Sequence, residues 1–217
     1  MRSKVATIDA ALAKIGSGMT LMIPGFVNAG TPMNIIKAIC EKGYKDLDVI
    51  ANDSGTTDVP GIGKLIVEHR VRSLITSHIG LNAETGKQMN SGEVKVTLVP
   101  QGTLAERIRC GGSGLGGVLT PTGVGTVVEE GKQSIEVNGA KYLLELSLRA
   151  QEAIIKAWKS DEFGNLVYRR LARNFNPLMA MAADYVIVEA EHIVPVGELD
   201  PDAIVTPGVV VDMVVQG

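Results

Sequence analysis

The sequence has few features of proteins that bind metals, nucleic acids or membranes. Its two cysteines, Cys40 and Cys110, lie far apart and match no metal-ligand spacing, so we expect reduced, buried thiols and no metal site. Basic residues are scattered, the net charge is −3, and the densest cluster, Arg169, Arg170 and Arg173, is too small to be a nucleic-acid footprint by itself. No apolar run approaches a bilayer span, and charges interrupt the N-terminal residues where a secretory signal would be apolar. We therefore predict a soluble cytoplasmic protein without nucleic-acid or membrane partners.

The sequence does contain short runs of Val, Ile and Leu that alternate with helix-like segments, which is typical of an α/β fold. Its 217 residues fit a single domain, residues 1–217. Asn138-Gly139, between strand-like residues 134–137 and 141–144, predicts a β-hairpin. We therefore predict an open, mostly parallel sheet flanked by helices, with an added β-hairpin region. Strands are expected at residues 19–23, 47–51, 73–76, 94–99 and 185–188, and helices after Thr7, after Thr31-Pro32, over 62–68, over 103–109 and after Asn176-Pro177.

A first glycine-containing turn, P-G-F-V-N-A-G from Pro24 to Gly30, follows a predicted buried strand and precedes a helix. Backbone amides and the helix dipole favour an anionic group at such a position. The turn is not a Walker loop, because no G-K-[ST] follows, and its glycine spacing does not fit a dinucleotide fingerprint. A ligand-binding role and a purely structural tight turn both remain open.

A second segment packs seven glycines between Gly111 and Gly125. Apolar residues and Pro121 interrupt it, so we predict a shaped, ligand-facing loop rather than a flexible linker. Gln101 precedes this segment, at the end of the strand expected over 94–99. A side-chain amide at the tip of a buried strand can hydrogen-bond a carbonyl oxygen, and the alternative is an amide that caps the following turn.

No other side chain indicates a reaction by itself. His78 follows a strand-like run and is the histidine expected to face a cleft, although a structural role is the more common one. Glu84 is expected in a solvated loop, and Glu189 and Glu191 are expected to be exposed at a strand end. The spacing of these residues predicts no pair of nucleophile and base.

Four segments, in order, resemble those of family I coenzyme A transferases. They are S-G-M-T-L-M-I-P-G-F-V-N-A-G-T-P from Ser17, V-P-Q-G-T-L-A-E-R-I-R-C-G-G-S-G from Val99, L-T-P-T-G-V-G-T-V-V-E-E-G-K from Leu119, and A-R-N-F-N-P from Ala172. The resemblance extends from about residue 19 to 207 and is to the α subunit of the two-subunit enzymes. Within the family, N-D-S-G at Asn52 is closer to the group that uses acetoacetate. Ser17 and Pro24 depart from the pattern, and proline removes one backbone N–H from the first turn.

The resemblance implies a ping-pong transfer of CoA between a short-chain acyl-CoA (acetyl-, butyryl- or acetoacetyl-CoA) and a free carboxylic acid. A glutamate of a β subunit would be the nucleophile, in an α₂β₂ or similar assembly, and Gln101 would form part of the oxyanion hole. CoA would be a substrate moiety, and no cofactor is implied. The residues implied in binding CoA or the acyl group are Pro24, Gly25, Phe26, Val27, Asn28, Ala29, Gly30, Asn52, Gly112 and Gly114.

Three alternatives remain at this point. The first is a 3-oxoacid or 3-oxoadipate CoA-transferase subunit of the same family. The second is a sugar-phosphate isomerase on the related fold of ribose-5-phosphate isomerase, against which the absence of a basic residue in the first turn counts. The third is a non-catalytic module that binds acyl-CoA.

Overall fold

A mostly parallel sheet forms the centre of the structure, a computed structural model that describes residues 2–58 and 60–217. Seven parallel strands have the order β11-β10-β8-β1-β2-β3-β4, and β9 pairs antiparallel with β8. Strands β5, β7 and β6 form a separate antiparallel sheet. The strands are β1 (Thr20–Ile23), β2 (Leu47–Ala51), β3 (Val71–Thr76), β4 (Lys95–Leu98), β5 (Gly117–Thr120), β6 (Ser134–Val137), β7 (Ala140–Leu146), β8 (Ala150–Asp161), β9 (Leu166–Val167), β10 (Ala183–Val194) and β11 (Met213–Gln216).

Helices cover both faces of the main sheet. Buried side chains form two apolar clusters, one including α1, α2 and α3 and the other including α5 and α6. In β1, Leu21 and Ile23 belong to the first cluster and Met22 to the second, as the alternation of side chains along a strand requires. The helices are α1 (Ile8–Leu12), α2 (Met33–Lys42), α3 (Ile62–Val67), α4 (Ala83–Ser91), α5 (Gln101–Gly112) and α6 (Asn176–Met181).

The open parallel sheet and its added hairpin confirm the fold class predicted from the sequence. The hairpin turn lies at Asn138 and Gly139, which have φ angles of 51° and 76°, as a type I′ turn requires. The second glycine-rich segment, however, is not one loop. Gly111 and Gly112 end α5, and Gly117 begins β5, so the prediction of a single ligand-facing loop was wrong.

The first glycine of that segment serves packing. A Cβ atom at Gly111 would lie 1.9 Å from the carbonyl oxygen of Leu148, so only glycine lets α5 approach this stretch of backbone. Cys40 and Cys110 are both buried and free, as expected. Among the described residues, no helix combines the length and the apolar character needed to cross a membrane.

Candidate functional site

The segments that follow β1, β2, β3 and β4 lie side by side at the carboxyl edge of the main sheet. They are Pro24–Gly30 after β1, Asn52 and Asp53 after β2, Ser77 and His78 after β3, and Gln101 after β4. Isolated bridges and hydrogen bonds join neighbouring segments, for example between Asp53 and His78. In open α/β sheets, ligands bind in the crevice outside this edge.

The turn after β1 is a tight hairpin. Phe26 N donates to Ala29 O at 3.1 Å and Ala29 N donates back to Phe26 O at 3.0 Å. The two central residues, Val27 and Asn28, have φ angles of 48° and 67°. A β-branched residue is uncommon there, and Asp53 Oδ2 holds it by accepting from Val27 N at 3.0 Å. The turn thereby presents the half-exposed side chains of Phe26 and Val27 at its tip.

Asn52 lies beneath this turn and retains an unused donor. Its side chain is 1% exposed, and its Oδ1 accepts from Gly25 N at 3.3 Å. Within the described residues, its Nδ2 has no hydrogen-bond partner. A buried donor without a partner costs free energy, which a ligand acceptor would recover.

Gln101 is the first residue of α5 rather than the end of a strand, which corrects the position expected from the sequence. Its Oε1 lies 2.8 Å from Ser77 Oγ, and the hydroxyl is the donor because an amide oxygen can only accept. Ser77 Oγ also lies 2.6 Å from Asn52 O, which accepts Ser77 N at 3.2 Å as well. A carbonyl oxygen can accept two hydrogen bonds, so the single hydroxyl proton of Ser77 serves either Asn52 O or Gln101 Oε1 at one time. No acceptor for Gln101 Nε2 occurs in the part of the chain that the structure describes, so this amide can donate to a ligand.

Two cavities meet at Gln101 and Phe26. One has a volume of about 400 Å³ and the other of about 360 Å³, and both side chains line both cavities. A ligand that contacts the Gln101 amide can therefore extend to either side of it. The first cavity is also lined by Val27, Asp53, Ser77, His78 and Leu81, and the second by Asn52, Leu171, Asn174, Phe175 and Leu178.

A larger cavity, of about 930 Å³, lies elsewhere. It does not include the carboxyl edge of β1 to β4, and it is lined by residues 2–6, 207–209, 212 and 213 together with Phe163 and Asn165. Lys4 lines it, but its Nζ donates to Gly208 O at 2.7 Å. We therefore place the candidate site at the smaller pair of cavities.

The N-terminus of α2 was expected to favour an anionic group, and a carboxylate of this same chain already binds there. Glu189 Oε2 accepts from Asn34 N at 2.8 Å and from Ile35 N at 3.0 Å, and Lys156 Nζ lies 3.4 Å from Oε1. Glu189 is 1% exposed and lies within β10, so the expectation of an exposed strand end was wrong, whereas Glu191 is exposed. Pro32 is the N-cap and has no side-chain acceptor, so the buried Glu189 carboxylate from β10 binds the amides at this end of the helix instead.

The amides of the first turn are also largely engaged inside the protein. Those of Gly25, Phe26, Val27 and Ala29 all donate to protein acceptors. The turn therefore offers apolar side chains to a ligand rather than a cradle of free amides. Pro24 is buried at the base of this turn.

Gly112 and Gly114 lie at the far end of α5 from Gln101. A helix of this length extends about 18 Å, and neither glycine lines the two cavities. A Cβ at Gly112 would lie 2.7 Å from Met181 Cβ, so this glycine lets α5 pack on α6. The structure does not bring these two residues to the site.

Two asparagines that were not predicted from the sequence as site residues hold the end of the first turn through hydrogen bonds. Asn174 Nδ2 donates to Ala29 O at 2.8 Å, and Asn176 Nδ2 donates to Gly30 O at 3.0 Å. Both lie in the A-R-N-F-N-P segment, and that segment was the available signal. Asp53 and Ser77 were missed as well, since single polar residues after strands are common.

Comparison with known proteins places these features in context. Residues 5–217 match the model of the family described as Coenzyme A transferase. The chain is 55% identical to the acetate CoA-transferase subunit alpha of Escherichia coli K12, over 99% of this chain and 97% of that protein. It is 49% identical to the acetoacetyl-CoA:acetate/butyrate CoA transferase alpha subunit of Clostridium acetobutylicum, over 100% and 99%.

The fold is also similar to that of a solved acyl-CoA transferase from E. coli O157:H7, in a thioester complex with CoA. The TM-score is 0.87 at 21% sequence identity. All of this chain aligns with 47% of the solved transferase, so this chain spans about half the length of that protein.

Proposed function

Because the chain belongs to the coenzyme A transferase family, we propose that it is the α subunit of an enzyme that exchanges CoA between a short-chain acyl-CoA and a free carboxylic acid. In the first half-reaction, a glutamate carboxylate of a β subunit attacks the thioester carbonyl carbon. The C–S bond then breaks, which gives an acyl-glutamyl anhydride and the CoA thiolate. The thiolate attacks the glutamyl carbonyl and releases the first acid, leaving an enzyme–CoA thioester that the second acid converts back by the reverse steps.

The observation that carries this proposal is the Gln101 amide at the junction of two cavities. Attack on a thioester places negative charge on the carbonyl oxygen, and Gln101 Nε2 is a neutral donor fixed at the start of α5. A neutral donor stabilises that charge without forming an ion pair with the attacking carboxylate. Ser77, by binding Oε1, leaves Nε2 for the ligand.

Asp53 lines the cavity of about 400 Å³, and its contacts support a nucleophile that belongs to another chain. Asp53 is 3% exposed, and its two oxygens accept from Val27 N and Gly55 N. A carboxylate engaged in this way stabilises the turn and is a poor nucleophile. We therefore place the active site at an interface with a β subunit, in an α₂β₂ or similar assembly.

The proposed substrates follow from the size of the site and from the relatives. Cavities of about 400 and 360 Å³ suit small acyl groups such as acetyl, butyryl or acetoacetyl. The transfer needs no resident cofactor, because the glutamate carries the acyl group and then CoA. The buried, free Cys40 and Cys110 support a cytoplasmic location, where thiols are kept reduced.

The test is CoA transfer from acetoacetyl-CoA to acetate and to butyrate, measured for this chain alone and for the complex with its β subunit. We expect activity in the complex only. Activity of the chain alone would contradict the proposal, because a nucleophile would then lie among its own carboxylates.

Gln101→Ala in the complex should lower kcat by about 10²–10³ while size-exclusion chromatography still shows the assembled enzyme. Gln133→Ala, at an exposed glutamine outside the site, is the matched control and should leave kcat unchanged. An unchanged kcat in Gln101→Ala would remove Gln101 from the mechanism.

A further inference from the structure

The densest basic cluster of the chain, Arg169, Arg170 and Arg173, has no carboxylate partners in the described residues. All three side chains are exposed. Five other arginines, Arg70, Arg72, Arg107, Arg109 and Arg149, each form an ion pair with Asp or Glu. A chain with a net charge of −3 thus leaves three neighbouring positive charges uncompensated at one place.

These arginines lie at the border of the candidate site. Arg170 and Arg173 are the ends of a short 3₁₀ helix, Arg170–Arg173, and Leu171 between them lines the cavity of about 360 Å³ together with Gln101. The helix therefore reaches from the cavity wall to the surface. A ligand whose reacting group lies at Gln101 would leave the cavity beside it.

The backbone that carries the arginines is held in place. Asn174 Nδ2 donates to Ala29 O at 2.8 Å, and Asn176 Nδ2 donates to Ala172 O at 3.0 Å. Arg170 has a φ of 53°, which is uncommon for a residue other than glycine. Arg169 lies over the Trp158 ring, 5.5 Å from its centroid. These contacts fix the segment that carries the three positive charges, and an anion bound beside this segment would be attracted to them.

We propose that Arg169, Arg170 and Arg173 form a subsite for the phosphate groups of CoA. The proposal rests on the proposed function, which places the thioester at Gln101. From there the pantetheine arm would pass through the cavity of about 360 Å³ that Leu171 lines. That arm ends in a diphosphate, and the adenosine carries a further 3′-phosphate. Guanidinium groups bind phosphate oxygens through paired, charge-assisted hydrogen bonds. Because three positive charges attract the phosphate groups and salt screens this attraction, the affinity for CoA should decrease as the salt concentration rises.

The experiment uses the complex with the β subunit and the variant Arg169→Gln/Arg173→Gln. Kinetics are measured with acetoacetyl-CoA and with acetoacetyl-pantetheine, which lacks the phosphates, and binding of CoA, dephospho-CoA and pantetheine is measured by calorimetry. The control is Lys37→Gln/Arg109→Gln, which removes two exposed positive charges outside the site.

We expect the arginine variant to raise the KM for acetoacetyl-CoA and the Kd for CoA at least tenfold. The KM for acetate, kcat, and all constants for the pantetheine ligands should stay within twofold, as should every constant of the control. Dephospho-CoA, which lacks the 3′-phosphate, shows which phosphate the arginines bind. If the variant loses less affinity for dephospho-CoA than for CoA, the arginines bind the 3′-phosphate. If it loses the same affinity for both, they bind the diphosphate.

An unchanged Kd for CoA would overturn the subsite. So would an equal effect on the pantetheine ligands, because the arginines would then act on folding, or a raised KM for acetate alone, because they would then bind the acid. If the wild-type complex transfers no CoA but the variant loses CoA binding, the proposed function fails and the subsite stands.

Discussion

The two glycine-rich segments, Pro24–Gly30 and residues 111–125, serve different ends. The first is a two-residue hairpin at the carboxyl edge of the main sheet, in contact with Asn52 and Asp53. The second ends α5, begins β5 and continues as turns beside the small antiparallel sheet. Glycine in the first lets the turn form beside the two cavities of the candidate site, and glycine in the second lets helices and strands pack.

The difference shows that position relative to the sheet matters more than glycine content. The segment with more glycines lies at the end of α5 that points away from Gln101. The segment with fewer follows a parallel strand, where neighbouring strand ends supply Asn52, Ser77 and Gln101. Four predictions test this difference between the segments.

The largest effect is expected from Glu189→Ala, which removes the carboxylate that holds α2 directly after the first segment. The change leaves Asn34 N and Ile35 N without their acceptor and Lys156 without its close buried partner. Loss of one partner of a buried ion pair costs about 3–5 kcal/mol, so we expect the free energy of unfolding, determined in urea, to decrease by that amount.

Glu191→Ala removes an exposed carboxylate 3.9 Å from the same lysine and should change stability by less than about 0.5 kcal/mol. Equal losses in the two variants would mean that Glu189 does not support the first segment.

The next effect concerns pH and should leave both segments unaltered. Burial raises the pKa of Glu152 from 4.5 to about 7, with a further contribution from the charge of Asp212. Since the folded state keeps this proton to higher pH than the unfolded state, the contribution to stability is full below pH 4.5 and is lost as the pH rises to 7. The loss is at most about 3 kcal/mol.

Glu152→Gln should therefore flatten the decrease in unfolding free energy between pH 4.5 and 7. If the pH profile of the variant has the same slope as the wild type, another group is responsible.

A third outcome compares the segments directly. A Cβ at Gly25 would lie 1.8 Å from Thr31 Oγ1, at a φ of 139°, so Gly25→Ala must displace the first turn. We expect kcat/KM of the complex to decrease by a factor that corresponds to about 1–3 kcal/mol.

Gly125→Ala, in the second segment, places its Cβ in open space at a φ of 77°. It should cost about 1 kcal/mol of stability and leave kcat/KM unchanged. Activity lost equally in both variants would contradict the separate roles of the two segments.

The smallest effect is expected from Ser77→Ala. When the Ser77 hydroxyl is removed, Gln101 Oε1 loses its donor and the Gln101 amide loses its fixed orientation. We therefore expect kcat to decrease about fivefold, which corresponds to about 1 kcal/mol of transition-state stabilisation. Ser77→Thr should restore it. In a Gln101→Ala background, Ser77→Ala should have no further effect, and additive losses would show that Ser77 acts independently of Gln101.

The sequence predicted the fold well where the signal is local. Strands β1, β2 and β3 follow buried apolar runs, and Asn138-Gly139 fixes the hairpin through its φ angles. Strand β5 was missed because Gly116-Gly117 interrupt the apolar pattern from which a strand is recognised. The sequence indicated Gln101 as a site residue, but it did not predict that Gln101 is the first residue of a helix.

The remaining features depend on contacts between distant parts of the chain. Glu189 and Asn34 are 155 residues apart, and Asn176 and Gly30 are 146 apart. No window of sequence shows that an acidic residue in a strand will be covered by a helix N-terminus. The same applies to Ser77 and Gln101, whose contact depends on the register of β3 and β4.

The two buried thiols have a practical consequence for spectroscopy. Burial, together with the nearby Glu68, raises the pKa of Cys40 to about 11, so its thiol stays protonated at neutral pH, and Cys110 is 1% exposed. Dyes that react with thiolates should therefore label the native chain slowly. A single Ser113→Cys substitution, at an exposed position after α5, should accordingly give a site-specific fluorescent probe without removal of the natural cysteines.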